Sequence, residues 1–297
     1  MSARSLLERL DVAAAAVRAL LPRGTVARES RRIWRAEIAS STALAGSSLG
    51  PDEVDALLDT GVARGGHRLT DYVLVRAYAD GARWVADQRT LAPGDPRPLL
   101  TVDEFRHLNL RAGSDRGGMW RLTNLPQHER IVSPAAWLVP REVDGALDRY
   151  RRGPGALPIP LWIARFLSRI NRIRAFEDAN GRTSRLAANV LLRRLDFPPI
   201  VFERRERARY EGALAAAEGN DHGPLAELIT RSLVRTCDRL LAASGQTGAE
   251  LQPLHTLAGD AYMSLAKAAQ RGRLRTIMRG GRYYTTAAWI AEYRSTR

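Results

Sequence analysis

Leucine, valine and alanine recur at three- and four-residue spacing over residues 4–21, and the same rhythm returns over 28–45, 51–60, 70–88 and 101–112. Such spacing keeps apolar side chains on one face of a 3.6-residue turn and predicts amphipathic helices. Thr101, with Glu104 three residues on, is a capping-box signature for the last of these. Between Gly117 and Val139 turn formers separate short apolar runs, which predicts loops and a short hairpin. Helical spacing resumes over 140–150, 160–173, 181–195, 206–218 and 223–243, and Pro198-Pro199 closes the third of these. Residues 246–255 are polar and glycine-bearing and read as a linker. Beyond them, L-R-T-I-M-R and R-Y-Y-T-T flank Gly280-Gly281, a hairpin signature set between two helical stretches. The expected fold is mainly α: a helical bundle with a short β-hairpin flap at 1–245, then a small basic helix/hairpin/helix module at 256–297.

Composition changes this picture little. A chain of 297 residues with 45% hydrophobic content can bury a large core. It has no run of about eighteen apolar residues, and Glu8 and Asp11 interrupt the start, so neither a membrane span nor a signal peptide is expected and the location expected is cytoplasmic. The single Cys237 sits at helical spacing among apolar neighbours and is expected to pack rather than react. The net charge of +14 is almost all arginine, since Lys267 is the only lysine. Its distribution matters more: residues 253–297 carry eight basic side chains against two acidic ones, which makes the tail the expected polyanion-facing part. His67, His107, His128, His222 and His255 lack metal-ligand spacing, and the six tryptophans are expected as core and hairpin anchors.

The densest chemistry lies in R-A-F-E-D-A-N-G-R-T-S-R, from Arg174 to Arg185. Ala179-Asn180-Gly181 is a small-residue turn opening a helix, whose first backbone N–H groups and dipole favour an anion. Arg182 and Arg185 are three residues apart, so both guanidinium groups could reach one oligophosphate. Asp178 is a hard oxygen ligand placed where a phosphate-bound Mg²⁺ would sit. A capped surface helix with solvated arginines accounts for the same residues.

The stretch resembles the signature of the Fic family, His-Pro-Phe-x-Asp/Glu-Gly/Ala-Asn-Gly-Arg-x-x-Arg, at Phe176, Asp178, Ala179, Asn180, Gly181, Arg182 and Arg185. Arg174 stands in place of the histidine and Ala175 in place of the proline. The likeness extends through A-R-F-L-S-R-I-N-R-I before the loop and R-L-A-A-N-V-L-L-R-R-L after it, and G-G-M-W-R at 117–121 is similar to the family's Pro-Gly-x-Tyr-Arg segment. The resemblance implies a Fic-type bundle binding Mg²⁺ and ATP or a related nucleotide, with Asp178 on the metal and Phe176, Asn180, Gly181, Arg182 and Arg185 at the nucleotide. In the family the histidine deprotonates a hydroxyl of a protein target, which then accepts AMP. Arginine stays protonated far above neutral pH and cannot be that base, and losing a general base costs about 10²- to 10⁴-fold in rate. The expectation is therefore a nucleotide-binding protein with AMP transfer lost or strongly reduced. Two alternatives stay open: a substitute base, Glu177 or Asp178, or repurposed chemistry with Arg174 as an anion clamp.

Many Fic proteins also carry an inhibitory helix, Ser/Thr-x-x-x-Glu-Gly/Asn, whose glutamate pairs with the last arginine of the signature. E-I-A-S-S-T-A-L-A-G resembles it with Ser41 and Gly46 in register and Ala45 at the glutamate, which implies a degenerate brake. The segment 264–293 resembles the helix, wing and helix of small excisionase-like or winged DNA-binding modules, without their usual second helix. That resemblance implies DNA contacts at Lys267, Arg271, Arg273, Arg275, Arg279 and Arg282; a hairpin capping the core with a solvated basic edge is the alternative. A protein target and a homodimer remain open as partners.

Overall fold

In a computed structural model of the chain, the residues described are 3–20, 24–92, 94–113, 117–126, 132–244, 252–279 and 281–295. The protein is mainly helical: α1 (Ala3–Leu20), α2 (Gly24–Leu44), α3 (Pro51–Thr60), α4 (Leu69–Ala86), α5 (Val102–Arg111), α6 (Val139–Arg149), α7 (Ile159–Ile173), α8 (Asn180–Arg194), α9 (Arg207–Glu218), α10 (Gly223–Ala243), α11 (Leu254–Ala258), α12 (Tyr262–Gln270) and α13 (Ala287–Ser295). A three-stranded antiparallel sheet in the order β1-β3-β2 joins β1 (Gln252–Pro253), β2 (Ile277–Arg279) and β3 (Arg282–Thr285). No helix among the described residues is long and apolar enough to cross a membrane.

The helices start and stop where local chemistry directs. The capping box forms at α5, where the Glu104 N–H donates to Thr101 Oγ1 at 3.1 Å and the Thr101 N–H donates to Glu104 Oε2 at 2.9 Å. Part of the expected flap, 127–131, lies outside the described residues; the described part begins with a turn at Gly117-Gly118 and makes one antiparallel bridge, Trp120 to Phe176.

The chain divides into two compact units, Arg31–Leu233 and the pair of segments Met1–Ser30 with Val234–Arg297. In the larger unit α8 is the buried axis: from Thr183 to Leu192 every side chain is buried, and α4, α5 and α7 pack around it. α4 approaches closely at Gly81, where an added Cβ would come 2.9 Å from Leu186 Cδ1. The far end of α8 is tied down by Arg194, whose guanidinium donates to Glu104 Oε2 at 2.9 Å, Leu99 O at 3.0 Å and Gln88 Oε1 at 2.7 Å.

The smaller unit closes around Leu254, Ala258, Leu265, Ala268, Ala269, Leu274 and Ile290. Its membership departs from the expected boundaries of 1–245 and 256–297, because α1 packs on α13 and Asp11 pairs with Arg275 at 3.2 Å. The expected linker also departs: its last residues, from Gln252, form β1 and enter α11, while 246–251 lie outside the described residues.

Candidate functional site

The segment between α7 and α8 is shaped by two residues in left-handed backbone conformation. Arg174 (φ 46°) ends α7 and Ala179 (φ 63°) opens α8. Neither is glycine, so each conformation costs on the order of 1 kcal/mol and has to be held by its surroundings. Asn180 does this from within: its Nδ2 donates to Phe176 O at 2.7 Å, and its Oδ1 accepts from the Phe176 N–H at 3.0 Å. The Phe176 ring, almost fully buried, lies between Phe105 and Trp120 with centroids 5.3 and 5.1 Å away, so this side chain anchors the loop.

Two further buried side chains fix the loop from outside. Arg121 donates to the carbonyls of Arg174 at 2.8 Å and Thr123 at 2.8 Å, and also to Pro134 O, while its own N–H donates to Ala175 O at 3.0 Å. Asn109 Nδ2 donates to Asp178 O and Thr183 Oγ1, both at 3.0 Å, and its Oδ1 accepts from the Gly118 N–H at 2.9 Å. Asn109 is a residue that motif reading missed; the available signal was an amide on the apolar face of α5, beside the more conspicuous His107. His107 itself packs against Trp84, 5.4 Å between ring centroids, consistent with a helix-packing role.

The first N–H of α8 to bond back along the helix is that of Thr183, to Ala179 O at 2.8 Å. The N–H groups of Asn180, Gly181 and Arg182 before it are the ones a helix start leaves to an outside acceptor. Above them is an open cavity of about 540 Å³. It is lined by Arg174, Asp178, Asn180 and Gly181 of the loop and helix start, by Leu125, and by Glu211, Leu214 and Glu218 of α9. Gly181 leaves room where a Cβ would stand 3.3 Å from Arg185 Nη1.

The two signature arginines do not converge. Arg182 is buried; its Nη1 donates to Ala112 O at 2.7 Å and its Nη2 to Asp178 Oδ2 at 2.9 Å. Arg185, also buried, turns to α2, with Nε donating to Ser41 Oγ at 2.6 Å and Nη2 to Ser41 O at 2.9 Å. Ser41 therefore stands at Arg185, while Ala45 and Gly46 follow the end of α2 on the surface, Gly46 at φ 101°. One turn earlier on α2 is Glu37, a buried carboxylate that spacing alone had not singled out although it interrupts the apolar face of Ile33, Trp34 and Ile38. Tyr78 OH donates to Glu37 Oε1 at 2.7 Å, and Oε2 has no hydrogen-bond partner among the described residues. Burial pushes the Glu37 carboxyl up to about 7 against the opposing pull of Tyr78 and of the Arg185 charge.

Among the described residues no histidine lines the cavity. Of the two expected substitute bases, Glu177 accepts at Oε1 from the Leu122 N–H at 3.0 Å and Asp178 is paired with Arg182. The carboxyl of Glu218 is raised by burial, against the charges of Arg174 and Arg172. Among the described residues no group of three or more metal-ligating side chains forms a cage. A Mg²⁺ held largely by phosphate and water needs only one or two carboxylates, and Asp178, with a mostly exposed side chain beside free helix N–H groups, fits that role.

Comparison with known proteins agrees with this architecture. Residues 99–192 match the Fic/DOC family profile. The protein adenylyltransferase Fic of Aedes aegypti is 38% identical over 74 residues, 25% of this chain and 15% of the relative. That of Drosophila melanogaster is 33% identical over 95 residues, 32% of this chain and 19% of the relative. The chain thus matches only a small part of these longer proteins. Among solved structures, a Fic domain containing signaling protein from Bacteroides thetaiotaomicron superposes with a TM-score of 0.70 at 23% identity, covering 82% of this chain and 99% of that one. Fic-1 (residues 134–508) from C. elegans gives 0.70 at 19% identity, covering 81% and 71%. At these identities the likeness speaks for the fold.

Proposed function

The chain belongs to the Fic/DOC family, and from that premise we propose that it binds the phosphates of a Mg-nucleotide, ATP or a close relative, at the Arg174–Arg185 loop without conventional AMP transfer. The observation that carries the reading is the cavity floor: free N–H groups at the start of α8, held in place by the Asn180 clasp, with Asp178 beside them. Asn180 and Gly181 would present backbone N–H groups to phosphate oxygens, and Asp178 would take part in holding Mg²⁺. The bound metal would supply charge neutralisation at the phosphates. Arg182 orients Asp178 and ties it to α5 through Ala112 O. What is missing is a proton acceptor at the family's histidine position, where Arg174 supplies a fixed positive charge.

Loss of the brake belongs to the same reading. Ala45 brings no carboxylate, and Arg185 is held by a serine hydroxyl and a main-chain carbonyl instead of a glutamate. A second reading, a transferase acting on an anionic substrate clamped by Arg174, is favoured by Glu218, a carboxylate with a raised proton affinity that lines the same cavity. Calorimetric titration with Mg-ATP tests both. Saturable binding that weakens when Mg²⁺ is removed is expected; no heat at millimolar nucleotide would sink the phosphate site. Nucleotide consumption in the same samples separates the second reading from the first.

A further inference from the structure

The smaller unit carries a surface that the nucleotide cavity does not use. No acidic residue falls between Asp260 and Glu292, although this interval holds α12, both strands of the β2–β3 hairpin and the start of α13. α12 turns Leu265, Ala268 and Ala269 into the core. Its other side exposes Met263, Ser264, Lys267 and Gln270, continued by Arg271, a spacing that makes one stripe along the helix. Arg273 is exposed in the turn that follows, and Arg282 is exposed on β3, where Tyr283 packs on the same core as α12.

The cations of this unit differ in what they do. Arg275 pairs with Asp11 at 3.2 Å and stacks over Trp289, with its guanidinium carbon 4.9 Å from the ring centroid. It is engaged in the fold. Lys267, Arg271, Arg273 and Arg282 have no carboxylate partner among the described residues, whereas exposed arginines elsewhere form pairs, such as Arg83 with Asp80 and Arg231 with Glu227. The side chain of Arg279, across the ladder from Arg282, lies outside the described residues.

We propose that the exposed stripe of α12, with the turn that follows it and Arg282 of β3, is a binding face for double-stranded DNA, with Lys267, Arg271, Arg273 and Arg282 on phosphates. Four unpaired cations on a helix and a hairpin, with no acidic side chain interspersed, match the charge of a duplex backbone. Ser264 and Gln270 add hydroxyl and amide groups to the same stripe, side chains that hydrogen-bond to phosphates and base edges. A membrane surface fits less well, because a helix lying on lipid buries its apolar face there and α12 has already spent that face on its own core. A protein interface fits less well too, since such patches deplete charge at their centre.

The experiment is fluorescence anisotropy of a labelled 20-base-pair duplex with the full chain over a range of salt. With four phosphate contacts, each contributing a slope of about −0.9, the affinity falls roughly 150-fold between 50 and 200 mM salt. The variant Lys267→Ala/Arg271→Ala/Arg273→Ala/Arg282→Ala loses that slope and most of the binding, while Arg275→Gln keeps the slope. Because a net charge of +14 attracts any polyanion weakly, a second quadruple variant of equal charge, Arg64→Ala/Arg76→Ala/Arg141→Ala/Arg152→Ala, is the control and retains the slope. Equal losses in the two quadruple variants overturn the proposal. So does an unchanged slope in the first, or tighter binding to duplex RNA or to vesicles rich in phosphatidylserine than to DNA.

Discussion

The guanidinium of Arg174 cannot accept a proton near neutral pH. If the base is the only part missing, Arg174→His should restore measurable transfer of labelled AMP from ATP to the protein itself, because the clasp, the helix start and Asp178 remain in place. A general base contributes about 10²- to 10⁴-fold, so a gain smaller than tenfold with folded variant means more of the machinery has been lost. Glu37 gives a prediction of the opposite kind, about stability. Its carboxyl titrates near 7 in the folded chain against an ordinary value of 4.5. The folded state therefore holds the proton more tightly, and stability falls as pH rises from about 4.5 to about 7, by at most roughly 3 kcal/mol. Above that window the loss is complete. Glu37→Gln should flatten this part of the profile and make the chain more stable at pH 8 than the parent, as read from urea midpoints at pH 5 and 8; an undiminished difference between those midpoints would assign it to other groups.

At the scale of elements, the loop between α7 and α8 is only as good as the side chains that pin it. Asn109 joins Gly118, Asp178 and Thr183 with three hydrogen bonds from one buried amide. At about 1 kcal/mol net for each, Asn109→Ala should cost about 2–3 kcal/mol of stability and weaken Mg-nucleotide binding along with it, because the carbonyl of Asp178 loses its tether. Wild-type nucleotide affinity in a folded Asn109→Ala protein would show that the loop holds its shape without α5. The helix start was legible in the sequence, since the small-residue turn Ala179-Asn180-Gly181 precedes the helical spacing and α8 opens at Asn180. The directions of Arg182 and Arg185 were not. Three-residue spacing puts both on one side of α8, yet Arg182 finds Ala112 O and Arg185 finds Ser41, partners 70 and 144 residues away that spacing along one helix cannot reveal. The same holds for Arg275, which belongs to the basic run by sequence and to the Asp11 and Trp289 contacts by structure.

At the scale of the whole molecule, periodicity was enough for the class of fold, because ten of the thirteen described helices, α1 to α10, follow one rhythm, although α8 is buried all round from Thr183 to Leu192 instead of on one face. The partition of the chain was not readable that way. α1 counts with the C-terminal segment through its packing on α13 and the Arg9–Asp238 pair, contacts that join residues more than two hundred positions apart. Cys237, on α10 of that unit, offers a direct measure of how firmly such long-range packing holds. The thiol is fully buried and in no disulfide, so a disulfide reagent reaches it only when the surrounding helices open. Labelling of the native chain should therefore be slow, should accelerate with denaturant, and should approach the rate of an exposed thiol only where circular dichroism reports loss of helix. Complete labelling within seconds in native buffer would mean that the long-range contacts around α10 open far below the unfolding transition, and that the unit is held together more loosely than its buried core implies.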